Sequence, residues 1–256
     1  MNKRVRNFFK MYSRLKLSSL FKFYKLKYLT GENNKIYDFH LKNGLDITVN
    51  KNTGDLTTFF EIFVNEDYKY KNIDKTDLKI LDIGANIGYF SLYISRQFPD
   101  SKVFSFEPFP ATFERLQENL KMNHINNVET YQLAVSNKKG NAEFYSIDWA
   151  GCNTLIKNKF DEGLYKTTVV ETIAFEEIRK LTGIDEFDYA KIDCEGSEYS
   201  IFLKSPDLAV KAVKNYVIEV HVDSEYSGND LIKRFDRLGY NTNFQDNILT
   251  AERIDQ

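Results

Sequence analysis

The feature that most constrains this chain is a regular alternation, from Leu78 onward, of short apolar runs with helix-periodic segments. Lys79–Ile83, Lys102–Glu107 and Val128–Val135 read as strands, and Phe90–Phe98 and Ala111–His124 as helices. The rhythm lapses between Asn141 and Val170. It resumes with a helix near Phe175–Leu181, a strand at Asp188–Asp193, a helix from Ser197 and a strand at Tyr216–Val220. A helix over Asp230–Leu238 follows, and Asn241–Gln245 with Ile248–Glu252 closes the chain as a hairpin. Such alternation builds parallel β-α-β units. The expectation is an α/β fold over residues 78–256, with a mostly parallel doubly wound sheet and a C-terminal antiparallel hairpin. Residues 31–77 read as a small N-terminal cap, with strands Ile36–Leu41 and Asp46–Val49 around Asn43-Gly44 and a helical stretch Asp55–Val64.

The strongest local signal is Leu81-Asp82-Ile83-Gly84-Ala85-Asn86-Ile87-Gly88-Tyr89-Phe90, an apolar strand that ends in an acid and turns through two glycines into a helix. Gly84 lets backbone approach a ligand closely, and Gly88 permits tight packing of the helix against the sheet. Ligands of open parallel sheets bind at the carboxyl ends of the strands, so this loop belongs in the cleft. A nicotinamide fingerprint would read G-x-G-x-x-G, whereas the spacing here is G-x-N-x-G behind an acid. Glu107 stands 25 residues after Asp82, at the end of a strand that Pro108 stops. An acid there can accept hydrogen bonds from both hydroxyls of a nucleoside ribose. Asp82 and the backbone near Gly84 would hold the amino-acid end of S-adenosylmethionine, whose ammonium and carboxylate need opposite partners.

A second constellation lies in Tyr189-Ala190-Lys191-Ile192-Asp193-Cys194-Glu195-Gly196-Ser197-Glu198. At a period of two, Lys191, Asp193 and Glu195 project to one side, with Asp193 at the strand's carboxyl end. The next strand, Tyr216-Val217-Ile218-Glu219-Val220-His221, ends in the same way. Asp193, Glu195, Glu219 and His221 thus gather acid and base groups at one edge. Each alone would be structural, for instance as an ion pair with Lys191.

In the stretches DIGANIGYFS (82–91), FSFEPFPATFERLQENL (104–120), LAVSNKKGNAEFY (133–145), DYAKIDCEGSEY (188–199) and IEVH (218–221), the chain resembles the FkbM-type methyltransferases. The resemblance runs from about Gly44 to Leu238. It implies a Rossmann-like class I methyltransferase fold, S-adenosyl-L-methionine as cofactor and, commonly, methyl transfer to hydroxyl oxygens of sugars or natural products. Asp82, Gly84, Asn86 and Gly88 match the family's cofactor loop, and Glu107 its ribose acid. The strand end Leu133-Ala134-Val135 lacks the adenine-binding acid of many other methyltransferases, which leaves Ser136 or Asn137 as candidates for that contact.

Transfer of a methyl group to a hydroxyl requires a base for the leaving proton, or a metal that acidifies the hydroxyl. His221 is the first candidate, because an unperturbed imidazole of pKa about 6.5 keeps a large neutral fraction at pH 7. Asp193 is the second, with Glu219 and Lys191 as supporting groups. Asp193, Glu195 and Glu219 could hold a divalent cation, but carboxylates clustered at a sheet edge more often hydrogen-bond to backbone or Lys, and no metal is expected. His40 and His124 read as surface residues. Trp149-Ala150-Gly151-Cys152-Asn153-Thr154 reads either as the acceptor-side loop or as a buried hairpin with Trp149 in the core. Two readings compete with the enzyme: a non-catalytic cofactor-binding or scaffold protein on the same fold, and a nicotinamide-dependent oxidoreductase.

Charge divides the chain unevenly. Residues 1–30 carry nine Lys or Arg and no acid, whereas residues 31–256 carry 26 basic and 37 acidic residues, a net of −11. An acidic body lacks the basic footprint that nucleic-acid binding needs, and the resemblance implies a small-molecule or glycan acceptor. The leader mixes its cations with Val5, Phe8, Phe9, Tyr12, Leu15, Leu20, Phe21, Tyr24 and Tyr28, an amphipathic helix broken near Ser18-Ser19. Two readings stand side by side: adsorption to an anionic membrane surface, or packing on its own domain or a partner. With two cysteines outside any metal-binding spacing, no signal peptide and no apolar run long enough to span a bilayer, the expected location is cytoplasmic, with peripheral membrane contact left open.

Overall fold

A computed structural model describes residues 3–28, 36–51, 53–69, 75–146 and 166–254. The strands are β1 (Ile36–His40), β2 (Asp46–Asn50), β3 (Lys79–Ile83), β4 (Lys102–Phe106), β5 (Val128–Tyr131), β6 (Ala134–Ser136), β7 (Gly140–Ser146), β8 (Lys166–Ala174), β9 (Tyr189–Ile192), β10 (Asn215–Glu219), β11 (Tyr240–Gln245) and β12 (Ile248–Arg253). The helices are α1 (Lys3–Arg14), α2 (Leu17–Tyr28), α3 (Asp55–Phe59), α4 (Tyr89–Gln97), α5 (Pro110–Met122), α6 (Ile178–Thr182), α7 (Glu198–Lys204), α8 (Asp207–Lys211) and α9 (Gly228–Arg237). A π-helical turn over Phe60–Asn65 continues α3.

Seven strands form one sheet in the order β11-β12-β10-β9-β3-β4-β5. From β10 to β5 all neighbours are parallel, and β12 with β11 closes the edge antiparallel. This is the doubly wound α/β sheet with a terminal hairpin that the alternation predicts. Successive strand residues point to opposite faces, as the two-residue repeat requires. Ile80, Val103, Tyr189 and Val217 enter one hydrophobic cluster with α4 and α5. Leu81, Phe104, Ala190 and Tyr216 enter the other, with α7, α8 and α9. Strand order reverses between β3, which leads to β4 and β5, and β9, which leads to β10. That point is where such sheets open a ligand crevice.

Three differences from the sequence-based expectations have local causes. The run Val128–Val135 is two strands: β5 pairs with β4, and β6 pairs with β8 in a separate three-stranded sheet, β6-β8-β7. Alternation identifies extended chain but not which partner it hydrogen-bonds. The lapse after Asn141 contains a long antiparallel pair, Gly140↔Thr172 through Ser146↔Lys166, whose strands carry too many polar residues to read as buried. The leader breaks at Leu15-Lys16, before Ser18-Ser19. There Leu15 bridges Leu41, the Lys16 N–H donates to the His40 carbonyl at 2.9 Å, and the His40 N–H donates to the buried Ser19 hydroxyl.

The leader packs on its own domain. Met11, Leu15, Leu20 and Phe23 lie in the same cluster as Phe39, Phe59 and Phe63 of the cap and Ile80 of the sheet. Side chains of this size contribute about 1.5–3 kcal/mol each when fully buried, so the leader and cap stabilise one face of the seven-stranded sheet. No helix among the described residues is long and apolar enough to cross a membrane.

Candidate active site

The crevice at the switch point is walled by the ends of β3, β4 and β9, the start of β6 and Phe144 of β7. Ile83, Gly84 and Asn86 form one side, Phe106, Glu107 and Pro108 the next, and Leu133, Ala134, Val135 and Phe144 an apolar wall. Asp193, Cys194, Glu195 and Ser197 close it. Gly84 has φ +73°, and a Cβ built there would stand 1.7 Å from the Asp193 carbonyl oxygen. The space that this glycine leaves is therefore taken by the neighbouring strand end, while the loop itself still borders the crevice. A Cβ on Gly88, at φ +83°, would meet Leu116 of α5 at 3.1 Å, so the close packing is between helices, not helix on sheet. Asn86, at φ +51°, turns the loop so that its N–H donates to Glu107 Oε2 at 2.8 Å.

Glu107 lies at the crevice as expected, and its burial pushes the carboxyl pKa up, against the hydrogen bonds that favour the carboxylate. Its Oε1 also accepts from the Phe109 N–H at 2.9 Å and the Thr112 hydroxyl at 2.7 Å. A carboxylate offers about four acceptor positions. Three are occupied by the protein, so contact with both ribose hydroxyls requires that Thr112 let go.

Asp82 and Lys191 stand elsewhere than the sequence suggests. Asp82 is 0% exposed, accepts a hydrogen bond from Ser91 Oγ at 2.6 Å, and does not border the crevice. It cannot hold the amino-acid end of a cofactor, because α4 and Lys191 cover it. Lys191, also buried, donates from Nζ to the Gly84 carbonyl at 2.6 Å and stands 3.4 Å from Asp82 and 3.5 Å from Asp193. Burial would depress its pKa, but Asp193, Asp82 and Glu219 outweigh that and raise it, so Lys191 is a fixed cation that ties the ends of β3 and β9 together. Ser136 sits at the end of β6, where its hydroxyl faces Asn137 at 3.4 Å, and is not among the residues that wall the crevice. The stretch Trp149–Thr154 lies outside the described residues.

The acid and base groups at the ends of β9 and β10 do converge. His221 Nε2 is 3.5 Å from Glu195, 3.9 Å from Asp193 and 4.0 Å from Glu219. Glu195 (φ +55°) and Gly196 (φ +108°) form a left-handed turn, so β9 ends at Ile192 and the carboxylates reach the cluster through a loop. Asp193, Glu219 and His221 each present one donor atom within 4.8 Å of the others, close enough to share a divalent cation.

Three further residues belong to this cluster. Glu198, 0% exposed, accepts from the Gly196 N–H at 2.8 Å and the His221 N–H at 2.6 Å, and lies 3.0 Å from His221 Nδ1. It fixes the ring so that Nε2 faces Asp193, Glu195 and Glu219. Its spacing in the KID-x-EG-x-E segment was a usable signal, since Gly196 turns the chain back on itself. Tyr68, from the cap, donates its hydroxyl to Glu219, lies 3.4 Å from Asp193, and holds Lys191 Nζ 5.5 Å from its ring centroid. Glu61, on the π-helical turn, has its pKa pushed up to about 7 by burial, then by the charges of Glu219 and Asp193. Nothing local in the sequence marks Tyr68 or Glu61, which stand more than a hundred residues from Asp193.

The electrostatics alter the expectation for His221. Burial would lower the imidazole pKa, but the Glu198 hydrogen bond and charge, with Glu195 and Asp193, raise it to about 9. The ring is an imidazolium at pH 7, not the largely neutral base that an unperturbed histidine would be.

Comparison with known proteins finds several relatives that are named methyltransferases. Methyltransferase sdnD of Sordaria araneosa is 29% identical over 187 residues, covering 62% of this chain and 72% of its own. Hexuronic acid methyltransferase AglP of Haloferax volcanii is 29% identical over 140 residues, 55% and 54% of the respective chains. The 2-O-methyltransferase NoeI of Sinorhizobium fredii is 24% identical over 172 residues, 62% and 67%. Residues 82–242, from the acid of the glycine loop to the terminal hairpin, match the family described as Methyltransferase FkbM domain, and the chain belongs to that family.

Proposed function

We propose that the chain transfers the methyl group of S-adenosylmethionine to a hydroxyl oxygen of a sugar, glycan or small hydroxylated natural product. One observation carries this: the crevice at the β3/β9 switch point shares two of its lining residues, Asp193 and Glu195, with the His221 cluster. The residues present suit the cofactor. Leu133, Val135 and Phe144 offer an apolar wall for an adenine, Glu107 an acceptor for a ribose hydroxyl, and Asp193 with Glu195 negative charge for the ammonium and sulfonium. The sulfonium, when bound, supplies a methyl group that is already activated for in-line displacement.

The chain's own task is to hold the acceptor in line and take its proton. Glu198 orients His221, and Nε2 accepts the hydroxyl proton whenever the ring is neutral, with Asp193 as the alternative acceptor. With a pKa of about 9, roughly one ring in a hundred is neutral at pH 7. Turnover should therefore climb with pH up to about 9. A sugar acceptor is favoured by the name of one relative, a hexuronic acid methyltransferase, and a hydroxyl acceptor by that of another, a 2-O-methyltransferase. A second reading has its own observation: the donor set of Asp193, Glu219 and His221 would let a divalent cation replace the ring proton and acidify the acceptor.

Equilibrium binding of labelled S-adenosylmethionine, with NAD as control, tests the cofactor. A mass-spectrometric screen of hydroxylated sugars, glycans and metabolites for the gain of one methyl group tests the reaction. Preference for NAD would overturn the proposal. Tight binding without transfer to any acceptor would favour a non-catalytic scaffold, and loss of transfer on chelation, restored by magnesium, would favour the cation.

A further inference from the structure

Although α1 and α2 bury Met11, Leu15, Leu20 and Phe23, they leave much apolar surface outside. Phe9 is 56% exposed, Leu17 60% and Phe21 69%. Of the five large aromatic side chains exposed among the described residues, four (Phe8, Phe9, Tyr12 and Phe21) lie in these two helices. A folded chain gains nothing by presenting them to water, and such concentration marks a docking surface, whereas a single exposed phenylalanine would not.

The exposed rings form a connected seam. Phe8 packs against Phe9 at 5.7 Å between centroids, stacks on Tyr12 at 6.4 Å, and reaches Tyr24 of α2 at 6.0 Å. Leu17 and Phe21 are one helical turn apart, so they share a face of α2. Tyr24 in turn abuts the buried Phe23 at 5.5 Å. The seam is thus seated on the core and holds its shape without a partner.

Its surroundings are wholly cationic in sequence: nine Lys or Arg and no acid within residues 1–30, against a net of −11 for the rest. Arg6, Lys16 and Lys22 are exposed beside the seam. We propose that the outer face of α1 and α2 docks the chain onto an anionic lipid surface, with Phe9, Leu17 and Phe21 entering the headgroup boundary and the flanking cations meeting the headgroups. Charge complementarity selects an anionic occupant, and the aliphatic Leu17 among the rings favours lipid over nucleic acid, which would use flat ring faces for stacking. The acidic body is repelled by the same surface, which orients the molecule with the leader down. This docking is independent of methyl transfer.

The test is flotation of the full chain with phosphatidylcholine vesicles, with and without about 30% phosphatidylserine, and with heparin as a soluble polyanion. Deleting the leader is unsuitable, because it would also remove four core residues. The triple variant Phe9→Ser, Leu17→Ser, Phe21→Ser keeps the buried face, and its melting temperature reports folding. The proposal expects binding to serine-containing vesicles alone, at least about tenfold weaker for the triple variant at unchanged melting temperature. Lys16→Gln and Lys22→Gln should each weaken it about fivefold, and salt should weaken it further. Equal flotation with neutral vesicles, no flotation, retention of binding by the folded triple variant, or binding to heparin but not to vesicles would each overturn it.

Discussion

The two halves of the candidate site are built by opposite strategies. The candidate cofactor crevice takes one side from close neighbours, Gly84, Asn86 and Glu107, which lie within 24 residues of one another, and completes it with an apolar wall and with Asp193 and Glu195. The acceptor side is assembled from strangers. Glu61 and Tyr68 come from the cap, Asp193, Glu195 and Glu198 from the end of β9 and the start of α7, and Glu219 and His221 from the end of β10. The first half rests on a turned glycine loop, an apolar wall and a few carboxylates. The second crowds carboxylates around one ring and one buried lysine, where each charge resets the others. The glycine-loop side is set by residues close in sequence, whereas the charge cluster forms only when distant strand ends and the cap meet.

Removing the histidine should expose this contrast most strongly. His221→Ala should lower turnover by about 10²–10⁴-fold yet leave S-adenosylmethionine affinity within about twofold. Because Glu198, Glu195 and Asp193 raise the ring to about 9, the wild-type pH profile should rise toward that value, and the variant should lose the limb. A variant that binds cofactor poorly would merge the two halves and break the comparison. Calorimetry and a pH-rate series decide it.

Gly84 tests the seam between the halves. Gly84→Ala places a methyl group 1.7 Å from the Asp193 carbonyl at a positive φ, and should cost about 3 kcal/mol or more in urea denaturation. Stability close to that of the parent would show that β9 can retreat, and that the site is looser than its packing implies.

Glu107→Ala is expected to act on the crevice alone. It removes at most one or two charge-assisted ribose contacts, worth about 1.5–3 kcal/mol each, and frees the Asn86 and Phe109 amides. Calorimetry should show weaker S-adenosylmethionine binding, and NMR of the apo protein should leave the His221 titration in place. Unchanged cofactor affinity in a folded Glu107→Ala protein would refute the ribose assignment.

Glu61→Gln should give the smallest effect and the most specific one. Burial and the charges of Glu219 and Asp193 hold the Glu61 pKa near 7, above the usual value. An acid with a raised folded-state pKa costs stability as pH rises from about 4.5 through 7. The substitution should therefore raise the melting temperature at pH 8 and change it little at pH 4.5. A shift of equal size at both would mean that packing, not charge, governs that position.

Much of this arrangement was legible in the chain itself. The alternation of strand and helix patterns, the glycine loop, Glu107 at the end of β4 and the terminal hairpin were set by residues close in sequence, because periodicity and turn chemistry are local properties. The separation of Val128–Val135 into β5 and β6, the burial of Asp82 and Lys191, and the filling of the Gly84 space by Asp193 depend on which strands lie side by side. Tyr68, Glu61 and the raised pKa of His221 depend further on charges brought together across more than a hundred residues. Sequence spacing fixes which side of a strand a group takes and where a chain turns. Proximity between distant segments follows only when the sheet has closed its core, and pKa values and packing are set by that proximity.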